Sequence, residues 1–74
     1  MDRAEIHDRS EKLERHIALV EADLTRQRDL IADLIRDGED ATSVIALLRQ
    51  FEDLLARLMI DRDVLRKRLA AAAR

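Results

Sequence analysis

The chain offers few groups that could do chemistry. Its two histidines, His7 and His16, stand nine residues apart. At about 100° per residue on a helix, that separation puts the two rings on opposite faces, so they cannot share a metal ion within one chain. Neither follows a glutamate three residues back (those positions hold Ala4 and Leu13), so the Glu-x-x-His pair of di-iron bundles is absent. Ser10 lies one helical step from His7. Neighbours on one helix still lack the third orienting group and the oxyanion donors that acyl transfer requires. Thr42 and Ser43 read as first-turn helix residues, and the acid pairs Glu39/Asp40 and Glu52/Asp53 sit on turn or solvent face with nothing to desolvate them and raise a pKa. A single glycine cannot build a phosphate-cradling loop, and a chain without cysteine has no thiol nucleophile, thiolate metal site or disulfide. The expectation is a protein with no catalytic, cofactor-binding or metal residues.

Groups that could bind are more numerous. Gln27 and Arg62 interrupt otherwise apolar stripes and are expected to fix register or partner choice; the ordinary place for Arg62 is with its stem packed and its head on solvent or Asp63. Arg66-Lys67-Arg68 is the only basic run. Cations near a helix C-terminus complement its dipole, which is the plainer explanation; a contact with RNA is the sharper one, although no aromatic stands nearby to stack on a base. The formal net charge is −2, with both signs closely mixed, which argues against a dedicated nucleic-acid binder.

These residues need elements to hold them, and Gly38 divides the chain into two. It is the only glycine, proline is absent, and it stands near the midpoint of 74 residues. In the first arm Ile6, Ser10, Leu13, Ile17, Val20, Leu24, Gln27, Ile31 and Leu34 recur at alternating steps of four and three. Val44, Leu48, Phe51, Leu55, Leu58, Arg62, Leu65, Leu69 and Ala72 do the same in the second. That spacing keeps one stripe of a helix against a partner, so the fold class is all-α: a helix over about 3–37, a turn at 38–40 and a helix over about 41–72, in one domain. Gly38 can adopt the left-handed conformation that closes the first helix, and Asp40 is the expected N-cap of the second, accepting from Thr42 or Ser43. So short a loop makes the helices antiparallel neighbours.

Folding at Gly38 brings together positions whose numbers sum to roughly 78–80: Leu34 with Val44, Ile31 with Leu48, Val20 with Leu58, Leu13 with Leu65. Flanking charges fall into the same register, Glu14 with Arg66, Arg28 with Glu52 and His16 with Asp61, whereas Arg9 meets Arg68 as a misfit. Within each arm, Glu5/Arg9, Asp8/Lys12, Glu11/Arg15, Asp53/Arg57 and Asp63/Lys67 are spaced for four-apart ion pairs.

The apolar stripe widens towards the turn, where Leu30, Ile35, Ile45, Leu47, Leu54 and Met59 flank it. Left in water these side chains would forgo several kcal/mol, at about 1.5–3 kcal/mol for each one fully buried. They are the expected interface of a homodimer, two hairpins forming a four-helix bundle. Leu19, Ile60 and Val64 should point outward, Ile60 and Val64 as a second candidate contact for another protein.

Charged residues make up 41% of the chain and aromatics 1%, a balance typical of long solvated helices. No apolar run is long enough to span a membrane and the start of the chain is polar, so the expectation is a soluble cytoplasmic protein. Arg15-His16-Ile17, Gln27-Arg28, Ile31-Ala32-Asp33-Leu34, Gly38-Glu39-Asp40-Ala41-Thr42, Leu47-Leu48, Phe51-Glu52, Leu55 and Asp61-Arg62-Asp63 together resemble a set of short uncharacterised bacterial helical-hairpin proteins. The resemblance implies bacterial origin and no assigned activity. The architecture is also similar to the Rop-like RNA-binding hairpins that control plasmid copy number, a likeness of fold that does not carry function. The sequence therefore leads to a non-enzymatic scaffold, adaptor or regulatory module that self-associates. The alternatives are an RNA-binding dimer using Arg62, Arg66, Lys67 and Arg68, or a small inhibitor or antitoxin-type partner of a larger protein.

Overall fold

Two helices joined at Gly38 account for the molecule. In the computed structural model, which describes residues 2–72, α1 runs Arg3–Arg36 and α2 runs Thr42–Ala72. They pack antiparallel along their length as a rod of 57 × 15 × 14 Å. No described helix is long and apolar enough to cross a membrane.

Both ends of α1 and the start of α2 are closed by a side chain or by the turn. Asp2 caps α1, its carboxylate accepting from the Glu5 amide at 2.8 Å. This cap is an Asp-x-x-Glu start that the periodicity alone did not single out. At the other end Gly38 has φ +73, the left-handed region that a Cβ penalises. The Glu39 amide reaches back to the Leu34 carbonyl at 2.8 Å and the Gly38 amide to Ile35 at 3.1 Å. Together these form the paired bonds of a Schellman motif, satisfying carbonyls the helix end would otherwise orphan.

Helix α2 begins one residue later than the spacing predicts. Asp40 Oδ1 accepts from the Thr42 amide at 2.9 Å and from the Thr42 hydroxyl at 2.6 Å. Ala41, not Asp40, is therefore the half-helical N-cap: its carbonyl takes the first helical bond, from Ile45, and its methyl is buried, while the Asp40 carboxylate caps from one residue further out. Likewise α1 stops at Arg36, because Asp37 already serves as its cap.

The core lies in the seam. Ile17, Val20, Leu24 and Leu58 form its buried centre, with Leu13, Leu48, Phe51, Leu54 and Leu55 packed against it. Val20 and Leu58 share this cluster, as the register requires. Two ion pairs across the seam carry the same register, Arg66–Glu14 at 2.9 Å and Arg28–Glu52 at 3.8 Å. Gln27 is the seam's irregularity: its Oε1 is buried without a hydrogen-bond partner.

The anticipated four-apart pairs on the outer faces do not form. Among the described residues the local pairs are instead Asp23–Arg26, Asp33–Arg36 at 3.2 Å, Asp63–Arg62 at 3.3 Å, Asp37–Arg36 at 3.5 Å and His7–Glu11 at 3.7 Å. Long exposed side chains gain little from any one geometry, so sequence spacing selects it weakly.

Candidate interaction faces

The seam divides the surface of the hairpin into two long faces, and helical phase assigns residues to each. Positions 7 or 14 apart on a helix lie within about 40° of one another, so they share a face. Glu14 and Arg28 on α1, with Glu52 and Arg66 on α2, mark the first, the ion-paired face. Ile35, Ile45 and Met59 follow in phase on that side. The other face holds an open groove at the end of the rod away from the turn, walled by Arg9, Lys12, His16, Asp61 and Arg68 over Leu13, Val64 and Leu65. Leu30, Leu47 and Leu54 continue this grooved face towards the turn, with Leu19 at its margin.

The six flanking residues therefore belong to two surfaces, three on each. Leu30, Leu47 and Ile35 are exposed, at 48%, 44% and 63%. Ile45, Leu54 and Met59 are half-buried, and Leu54 already packs against the hairpin's own core. Among the described residues, the apolar surface left in water is larger on the grooved face, where Leu19 and Val64 join Leu30 and Leu47, than on the ion-paired face, where Ile35 is the one large exposed aliphatic. Ile60, one helical turn from Val64, is exposed and lies outside the groove lining.

Electrostatics separate the faces as well. Arg66 of the basic run is engaged by Glu14, and Arg62, largely covered, sends its Nε to Asp63 at 3.3 Å. Lys67 and Arg68 are exposed. Around the groove, Arg9, Lys12 and Arg68 have no carboxylate within ion-pair distance among the described residues, and His16 and Asp61 share the groove without pairing. The Arg9/Arg68 misfit is thus part of a positive surplus, three cations to the one acid Asp61, around the groove. At the turn the sign reverses, since Asp37, Glu39 and Asp40 stand within four residues with no base among them. Asp40 is held below its ordinary carboxylate range by the hydrogen bonds from the Thr42 hydroxyl and then the Thr42 amide.

The residues weighed for chemistry are spread out. Ser10 is half-buried in the seam, and the Thr42 hydroxyl is committed to Asp40. His7 lies beside Asp8 and Glu11, whose ligand atoms come within 4.8 Å of one another. Histidine spacing does not single out this triad, because two of its three members are carboxylates. Its members are all exposed on about one turn of a single helix, an arrangement common on solvated helices. Compared with protein-family models, curated proteins and solved structures, the chain matches none.

Proposed function

We propose that this hairpin is a non-enzymatic scaffold, adaptor or regulatory binding module that works as a self-associated four-helix bundle. The supporting observation is the set of large aliphatic side chains left in water on a thin, highly charged rod: Leu19, Leu30, Ile35, Leu47, Ile60 and Val64 are all 44% exposed or more. A two-helix seam cannot cover them, because each helix turns half its circumference to solvent. A second hairpin laid on one face would cover several, at about 1.5–3 kcal/mol for each side chain fully buried. An RNA-binding dimer built on Arg62, Arg66, Lys67 and Arg68 is less well supported, since two of those four cations already face intramolecular carboxylates.

Sedimentation equilibrium across the micromolar range tests the reading. The expected result is a reversible dimer whose helical content rises little on association. A well-folded hairpin that stays monomeric throughout would overturn it.

A further inference from the structure

We infer that the second copy sits on the grooved face and runs antiparallel to the first, the turn of each hairpin lying over the open end of the other. This deepens the self-association reading and rests on it. Two observations choose the face. It carries the larger exposed apolar surface, and its groove is a concavity that a neighbouring side chain can enter. The ion-paired face presents instead the charged heads of Glu14, Arg66, Arg28 and Glu52, already matched within one chain.

Charge chooses the orientation. The cations Arg9, Lys12 and Arg68 outnumber Asp61 in the groove at one end of the rod, and at the other the acids Glu39 and Asp40 stand beside Asp37, which Arg36 already pairs. A parallel pair, turn on turn, would set each cluster against its own copy. An antiparallel pair sets each against its opposite, and like charges brought directly together disfavour an arrangement strongly enough to select between the two. The apolar residues agree. The groove centres near the level of Leu13 and the exposed patch near that of Leu30, and the point midway between them is close to the middle of α1. A two-fold axis there lays Leu30 and Leu47 of one copy over the Leu13, Val64 and Leu65 floor of the other, with the rods overlapping fully.

The chain has no cysteine, so a single Glu39→Cys variant carries one spin label at the turn. Pulsed dipolar spectroscopy on the dimer should then find the two labels separated by nearly the 57 Å length of the molecule. Labels close together would overturn the antiparallel arrangement while leaving self-association intact. For the face, Leu47→Lys places a cation against Arg68 of the other copy and should raise the dimer dissociation constant at least about tenfold, with Ile35→Lys changing it little. The reverse ranking would move the interface to the ion-paired face. Both positions are exposed, so circular dichroism should show each variant folded. A monomer at every concentration would remove the self-association reading along with this one, as would a monomer that binds single-stranded RNA through Arg9 and Arg68.

Discussion

The two long faces of the hairpin flank the same seam and come from the same heptad rhythm, yet they treat charge in opposite ways. On one, two ion pairs cross the seam: Glu14 meets Arg66 and Arg28 meets Glu52. On the other, Arg9 and Arg68 share a groove with Lys12 while Leu30 and Leu47 remain in water. The first face matches charge across the seam within one chain and leaves Ile35 as its large exposed aliphatic. The second leaves both charge and apolar surface unmatched, and surfaces of that kind are where partners bind. A hairpin can thus be better matched on one side than on the other without any change in its backbone.

The comparison fails if the seam does not fix both faces, so its strongest test is the seam itself. Leu24 is the most deeply buried side chain, at 2% exposure. Leu24→Ala should cost about 2–5 kcal/mol in thermal or urea unfolding of the folded species. A cost below about 1 kcal/mol would mean that the hairpin is held by something other than this packing, and the assignment of residues to faces would fall with it.

Gln27 offers the opposite sign at the same place. A buried acceptor without a donor costs on the order of 1–3 kcal/mol, and leucine at this position would remove it while keeping the stripe apolar. Gln27→Leu should therefore stabilise the hairpin by about 1 kcal/mol or more, read as a raised unfolding midpoint at unchanged m-value. A destabilised variant would show that the amide is satisfied in solution, for instance by a donor from a second copy.

Gly38 aligns the two helices and so sets which residues meet on each face. A Cβ there would touch nothing within 4 Å, so the cost of Gly38→Ala is torsional alone, about 1 kcal/mol or more from the positive φ. If the variant keeps its helicity but becomes a longer particle by small-angle scattering, the helices have fused into one rod and the faces no longer exist.

The architecture was legible from the sequence because two simple rules act together: a period near 3.5 needs a facing helix, and one glycine leaves one place to turn. The register was legible too, through charges that could be paired by arithmetic. The division of Leu30, Leu47 and Leu54 from Ile35, Ile45 and Met59 was not read there. Counting apolar neighbours of a stripe gives its width, whereas the side of the hairpin each one occupies emerges only when helical phase is carried across the turn. The groove was present in the sequence as an anomaly, Arg9 opposite Arg68, and its meaning came from finding Lys12, Val64 and Leu65 around the same hollow.

The smallest effects compare the faces directly. A double-mutant cycle on Glu14 and Arg66, run at low protein concentration, should return a favourable coupling of about 0.2–1 kcal/mol, because the pair is exposed and screened. The same cycle on Arg9 and Arg68 should return a coupling of opposite sign and no greater size, since each alanine relieves repulsion instead of removing an attraction. Both couplings should shrink as salt is raised past physiological strength, where screening reaches within about 8 Å. Equal signs for the two cycles would mean that solvent has erased the electrostatic difference between the faces. The grooved face would then be distinguished by its aliphatic side chains alone, and an antiparallel preference could not rest on charge.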